Sequence, residues 1–337
     1  MSNLKTKFMG IELNNPIIVG ASPMTSNTDD LKRLEEAGAA AVVYRSLFEE
    51  QIQLERAQFE DEMVEYNERH AEMITLFPRI EHAGPEEHLV NLRKARESVS
   101  LPMFASLNAI YKETWLEYAK LIQETGVNGL ELNFYVTPKD FETDSDTIEK
   151  QQLEILNEIK KVVTIPVSLK LSSFYSNPLN FIKQADKEGA NGFVLFNRFY
   201  QQDIDTTKLE ISSSHHLSNE AENKLPMRFA GLLFDNISAN ICCSGGIQNG
   251  NDVAKMILAG ADCVQVVSTL YQHKIPHLKT MLDDLDKWMV NRKYNKIEDF
   301  RGLLSKKKIN DPFVYQRAQY IDLLINSNEI IKKYPLR

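Results

Sequence analysis

The sequence predicts an α/β protein built as a (β/α)8 barrel, the TIM-barrel architecture, and three observations carry that expectation. One phrase recurs four times: EEAGAAAVVY around Gly38, QETGVNGLELN around Gly126, DKEGANGFVLFN around Gly189 and ILAGADCVQVV around Gly260. In each, a helix ends on a glycine able to take the left-handed cap conformation, small or polar residues turn the chain, and an apolar run suited to a strand buried on both faces follows. Four further apolar runs lie elsewhere, and three of them begin at or just after Pro16, Pro102 and Pro166, consistent with proline at a strand's first residue. Amphipathic stretches long enough for crossover helices separate the runs.

Taken in order, the strands fall at 16–21 (PIIVGA), 40–45, 103–107 (MFASL), 129–133, 167–171 (VSLKL), 192–196, 240–243 (NICC) and 263–267. Helical patterns fill 86–99, 114–125, 146–163 and 250–259. Eight such units in about 250 residues suit a closed barrel. A doubly wound sheet usually has fewer strands and a glycine fingerprint after the first one. Here the first strand ends in Gly20-Ala21-Ser22-Pro23. Two connections are long: 48–85, a charged stretch read as a helical insertion at the C-terminal mouth, and 197–226, which contains SSSHHLSNEAENK. Long loops at that face cover or build sites. The expected organisation is one barrel domain over 1–300, with a tail, 301–337, packed outside it as helices and carrying the basic patch Lys306-Lys307-Lys308.

Composition narrows the function. The 337 residues are 43% hydrophobic and 26% charged, and 39 Lys plus Arg against 47 Asp plus Glu leave a net charge of −8. That balance gives no general attraction to nucleic acid or to an anionic membrane. No run of about 18 apolar residues and no signal-like leader is visible, so no membrane anchor is expected. The three cysteines, Cys242, Cys243 and Cys263, lie in apolar runs without CxxC spacing, which fits a reducing cytoplasm.

In a barrel the chemistry sits where the strands end. The polar residues there are Ser22, Arg45 and Ser46, Asn108, Asn133, Lys170 and Ser172, Asn197 and Arg198, Ser244-Gly245-Gly246, and Ser268-Thr269. This set is polar and not acidic, with no carboxylate pair for glycoside chemistry, no metal-binding cluster and no Ser/His/Asp signature. It suits an uncharged aromatic ring bearing a phosphate. Ser244-Gly245-Gly246 before a helix, with Ser268-Thr269 after the last strand, matches the place where barrels hold phosphate on backbone N–H groups, although a tight turn would read the same way. Lys170, inside an otherwise apolar strand, needs a partner at the mouth or must snorkel to solvent. Asn133 and Asn197 can face one ligand ring or cap their loops, and Arg45 can face an anion or pair with the acidic insertion. His215-His216 reads as solvated loop, and the 48–70 stretch as a lid or a solvated helix face.

With these positions in view, the chain resembles the soluble class of the dihydroorotate dehydrogenase family, barrels that carry flavin mononucleotide (FMN), over its length to about residue 300. FMGIELNNPIIVGAS is similar to the family's N-terminal β-hairpin, first strand and Ala-Ser, placing Ala21 and Ser22 near the flavin. ELN at Glu131–Asn133 resembles the family's E-L-N-x-S-C/S-P, LKL around Lys170 its flavin-contacting V-K-L, SGGI at Ser244–Ile247 its phosphate loop, and GADCVQVVSTLY its closing G-A-x-x-x-Q-x-G-T-A-L. The resemblance implies an FMN-dependent oxidoreductase acting on CH–CH groups, as in dihydroorotate oxidation in pyrimidine biosynthesis. The flavin phosphate would rest on Gly245, Gly246, Ser268 and Thr269. Its ring would meet Ala21, Ser22, Arg45 and Lys170, and Asn133 and Asn197 would face flavin or substrate. It also implies a homodimer, with an electron-transfer partner protein in some members; this chain has no cluster-binding cysteine spacing of its own.

The departures bear on substrate. The family's Cys or Ser general base falls on Val136, which cannot accept a proton; a one-residue loop shift would bring Thr137-Pro138 into that register. The family's asparagine-rich loop has no match in EYNERHAEMITLFPRIEHAG, its Lys before the Ser after strand two is Arg45, and the Gly of Q-x-G-T is Val267. Four readings stay open: dihydroorotate oxidation, a flavin barrel with another substrate, a flavin-binding barrel without turnover, and a flavin-free barrel acting on a phosphorylated metabolite.

Overall fold

The computed structural model describes residues 2–54, 84–136, 140–198, 202–212, 216–325 and 332. Thr137, His215 and most of the 48–85 connection lie outside the described residues. The chain runs β1 (Thr6–Phe8), β2 (Ile11–Leu13), β3 (Ile17–Val19), α1 (Thr28–Glu36), β4 (Ala41–Phe48), α2 (Pro85–Ser98), β5 (Met103–Asn108), α3 (Lys112–Gln123), β6 (Gly129–Phe134), α4 (Ser145–Val162) and β7 (Val167–Leu171). It continues with α5 (Pro178–Lys187), β8 (Gly192–Leu195), the exposed hairpin β9 (Asp203–Asp205) and β10 (Glu210–Ser212), α6 (Lys224–Leu233), β11 (Asn240–Ser244), α7 (Gly250–Ala259) and β12 (Cys263–Val266). Helices α8 (Ser268–His273), α9 (His277–Arg292) and α10 (Arg317–Ile325) follow. No helix among the described residues is long and apolar enough to cross a membrane.

Eight strands close in the order β3-β4-β5-β6-β7-β8-β11-β12, with β12 pairing back to β3. Every neighbouring pair is parallel. The barrel is thus as the apolar runs predict, and the four recurring glycines are its joints: Gly38, Gly126, Gly189 and Gly260 all have positive φ, from +82° to +133°. A residue with a Cβ pays steric strain there, so glycine ends each helix and releases the next strand.

Period-2 alternation divides each strand between two environments. Ile17, Val19, Val42, Leu130, Leu132, Leu169 and Leu171 belong to the outer core beneath the helices. Ile18, Ala41, Val43, Phe104, Val194, Cys242 and Cys263 form a second, inner cluster with Phe8, Met9 and Leu13 of the β1–β2 hairpin. The hairpin therefore floors the bore. Its turn residues, Met9 and Gly10, both have positive φ, which suits a tight two-residue hairpin turn. The barrel makes room with glycine: a Cβ on Gly192 would lie 2.8 Å from Phe8 Cε2, and one on Gly129 3.0 Å from Met9 Cε. All three cysteines are buried and free, and the tail runs through turns over 301–309 before α10.

Strand β4 shifts register against β5 between Tyr44 and Leu47. The bulge lets Ser46 Oγ donate to Ser106 Oγ at 2.7 Å. Just beyond, Glu49, 2% exposed, accepts from the Ile110 N–H at 2.9 Å and from Thr114 Oγ1 at 3.1 Å. That carboxylate meets unpaired donors at the start of α3, a favourable place for negative charge. It pins the long connection after β4 to the β5 mouth.

Phe8 meets Phe104 edge to face at 5.9 Å and fills the floor of the bore. Phe8→Ala is expected to lower stability by roughly 3–5 kcal/mol, the cost of a large-to-small change in a packed core, read from urea unfolding midpoints. A loss well under 1 kcal/mol would show that the floor collapses to refill the space.

Candidate active site

Above that apolar floor the bore turns polar. Glu131 and Asn133 alternate with the outward Leu130, Leu132 and Phe134, and the register sets Glu131 beside Ser168 and Asn133 beside Lys170. Lys170, its side chain 11% exposed, places Nζ 3.6 Å from Oε1 of Glu131, which is 1% exposed. Lys170 Nζ also donates to Gln265 Oε1 at 3.4 Å, and Gln265 Nε2 donates to Glu131 Oε2 at 2.6 Å. The partner that Lys170 needs is thus a carboxylate inside the barrel. This corrects the expectation of a polar but not acidic mouth: Glu131 lies below the strand's end, hidden in the run LELNF.

Asn133 stands at the end of β6 and Asn197 two residues beyond β8, and they meet: Asn197 Nδ2 donates to Asn133 Oδ1 at 2.8 Å. The contact fixes the direction of both amides and leaves each with further hydrogen-bonding capacity. Ala21 is half-buried and Ser22 buried, and Ser22 Oγ has no hydrogen-bond partner among the described residues. A Cβ on Gly20 would lie 3.0 Å from Val267 Cγ2 and 3.2 Å from Gln265 Oε1, so the valine of QVV packs beside the end of the first barrel strand.

Gly245 and Gly246 both have positive φ, +94° and +68°, which bars side chains from this turn. A Cβ on Gly245 would meet nothing within 4 Å, so the cradle above it is open. One on Gly246 would lie 2.5 Å from Asn219 O. The residue missed by sequence reasoning is Ser218. Its Oγ accepts from the Gly246 N–H at 3.2 Å, its N–H donates to Ser268 Oγ at 3.1 Å, and its carbonyl accepts from Gln248 Nε2 at 2.8 Å. Thr269 Oγ1 turns away to donate to Gln248 O at 3.2 Å. Ser218 therefore ties the second long connection to the two segments expected to bind phosphate. Its only sequence signal is its place before Asn219, which caps a short 3-10 turn through the Ala221 N–H.

Arg45 is half-buried in the β4 bulge. Its charge acts on Tyr44 and His88, whose rings meet edge to face at 5.3 Å. Val136 is 42% exposed and borders a cavity of about 310 Å3 with Phe134, Glu149, Ser172, Phe174 and Tyr175. Tyr175 donates its hydroxyl to Gln152 at 2.8 Å, and burial raises its pKa. No group of three or more His, Cys, Asp or Glu among the described residues is arranged to hold a metal ion.

A family model described as Dihydroorotate dehydrogenase matches residues 3–289. The catalytic subunit of dihydroorotate dehydrogenase B (NAD(+)) from Thermoplasma volcanium is 30% identical over 316 residues, which is 91% of this chain and 100% of the relative. The corresponding subunit from Thermoplasma acidophilum is 26% identical over 311 residues, 90% of this chain and 99% of the relative. Chloroplastic dihydropyrimidine dehydrogenase (NADP(+)) from Arabidopsis thaliana is 24% identical over 334 residues, 89% of this chain and 76% of the relative.

His88 offers a pH test of the packing of α2 against β4 beside Arg45. Burial first, and then the Arg45 charge, lower its pKa from 6.5 to about 4. The folded state prefers the neutral ring, so this contribution is complete above about pH 6.5 and is lost as pH falls toward 4. Stability at pH 5 is expected to be about 2 kcal/mol below that at pH 7.5 through this residue. Urea unfolding of His88→Gln should lack that part of the slope; an unchanged slope would reject the assignment.

Proposed function

The chain belongs to the dihydroorotate dehydrogenase family and is an oxidoreductase of the kind that acts on CH–CH groups, and from that premise we propose that it carries FMN across the barrel mouth and oxidises dihydroorotate to orotate. The observation that carries this reading is the convergence of Lys170 and the Asn133–Asn197 amide pair on one polar mouth beside an open diglycine turn.

The residues fit such a cofactor on their own chemistry. The orphaned Ser22 hydroxyl and the open space over Gly245 are what a cofactor's polar edge and phosphate would fill. We assign the phosphate to Gly245, Gly246, Ser268 and Thr269 with Ser218 as an additional hydroxyl, and the ring to Ala21, Ser22, Arg45 and Lys170. Because Gly246 and Ser268 already engage Ser218, phosphate binding here either recruits the Ser218 hydroxyl or displaces it. Bound flavin supplies a two-electron acceptor for the substrate's C–H bond. Lys170 holds a positive charge where negative charge develops, in a site largely shielded from water, and so favours the reduced state. The joined amides of Asn133 and Asn197 orient a planar ligand. Thr137 is assigned the proton from the substrate, since Val136 in the aligned position has no basic atom.

Val136 also favours a second reading, a flavin barrel whose substrate is not dihydroorotate. Its exposed side chain opens beside Phe174 onto a cavity that receives apolar groups better than a carboxylate. Relatives named as catalytic subunits point to a partner protein that carries electrons away. We place the chain with such a partner, as a homodimer in the cytoplasm.

The deciding experiment is the visible spectrum of the purified protein before and after anaerobic dihydroorotate. A flavin band that bleaches is the expected result. A band that persists would move the substrate elsewhere, and no band after added FMN would overturn the cofactor. Gly245→Val should cut retained flavin at least about tenfold by forcing a side chain where φ is +94°; undiminished occupancy would reject the phosphate assignment. Lys170→Ala should slow flavin reduction by about 100-fold, the scale of losing one preorganised electrostatic donor; unchanged stopped-flow rates would remove Lys170 from the mechanism.

A further inference from the structure

We propose that Glu131 is a positioning residue which, from inside the barrel, sets the direction of Lys170 and balances its charge. It rests on the flavin reading above, with a part that can be tested without flavin.

Three strands contribute one side chain each to a closed triangle across the bore. Glu131 on β6 receives the Gln265 amide from β12 at 2.6 Å, Gln265 receives the Lys170 ammonium from β7 at 3.4 Å, and Lys170 stands 3.6 Å from the second oxygen of Glu131. Each contact constrains the next. An ionised carboxylate only accepts, so Glu131 turns the amide's NH2 group toward itself and its carbonyl toward Lys170. An ammonium has three N–H groups. One reaches Gln265 and one faces Glu131, which leaves the third for a ligand at the mouth. Without Glu131 the amide is free to reverse and to present its own donors to the ammonium.

The same contact cancels charge. A largely buried ion pair gives little net stability, because desolvating both groups offsets their attraction. Apart from the Gln265 amide on its Oε2, Glu131 is left with a buried Oε1 that has no hydrogen bond among the described residues. What the pair does supply is a mouth whose central cation is balanced by an anion 3.6 Å away. Lys170 then donates its N–H with less than a full unit of positive field. Glu131 itself is not given the substrate's proton, since at 1% exposure it lies buried two residues before Asn133 on β6.

The test is a charge series on the full-length protein loaded with FMN: Glu131→Gln, Glu131→Asp, Lys170→Met and the double variant Glu131→Gln/Lys170→Met. The readout is the midpoint potential by anaerobic dye titration. Glu131→Gln leaves an unbalanced cation and should raise the potential, and Lys170→Met leaves an unbalanced anion and should lower it. The double variant should return near the starting value, and Glu131→Asp, which keeps the charge, should stay close to it. An unchanged or lowered potential in Glu131→Gln, or an equal shift in Glu131→Asp, would overturn the proposal. If the wild-type chain takes up no FMN, the flavin reading fails by itself and the pairing is judged on apoprotein unfolding in urea. There the double variant should lose less stability than the two single losses added together; strict additivity would overturn the pairing.

Discussion

A closed barrel of eight parallel strands imposes one constraint from which the rest of this molecule follows: half of every strand faces a bore that must be filled. The chain fills its lower half from outside. The β1–β2 hairpin carries Phe8, Met9 and Leu13 into an apolar cluster with Ile18, Phe104, Val194 and two cysteines. Because that floor is apolar and buried, polar side chains on the same inward positions are found higher up, at the strands' C-terminal ends. The division between packing and chemistry is thus set by height in the bore, and Glu131, Ser168, Lys170 and Gln265 occupy the layer where it changes.

That layer is expensive to hold together. Removing one member of a buried ion pair costs roughly 3–5 kcal/mol, because the other charge is left without compensation. The Glu131–Lys170 pair, tied by Gln265 to the far side of the barrel, therefore couples the β6, β7 and β12 ends energetically. The Asn133–Asn197 bond does the same for β6 and the segment after β8. A ligand at this mouth meets side chains whose directions are already set, which lowers the ordering cost of binding.

Much of this was legible in the sequence, for a mechanical reason. A parallel barrel strand is apolar on both faces, and a helix must end before it, so a glycine joint followed by an apolar run is a signature that tertiary context does not disguise. All four joints around Gly38, Gly126, Gly189 and Gly260 have the backbone conformation that the phrase demands. Polar residues at strand ends were equally visible, as Lys170, Asn133 and Asn197 show. What stayed hidden were contacts whose partners lie far apart along the chain. Glu131 looks like one charge in an apolar run until the barrel closes and brings Gln265, 134 residues away, onto it. Ser218 gains its role only where the second long connection lies against the diglycine turn, and Glu49 only where the β4 bulge carries it to the start of α3.

The two halves of the mouth are under different physical demands. The diglycine turn, the Gly20 approach and the Lys170 triangle depend on backbone conformation and buried charge, where almost any substitution is costly. The wall formed by Val136 and Phe174 beside the neighbouring cavity is partly exposed. Val136, 42% exposed, presents apolar surface there. Specificity is a difference between affinities, and apolar surface at that wall disfavours a charged group by leaving it without a partner.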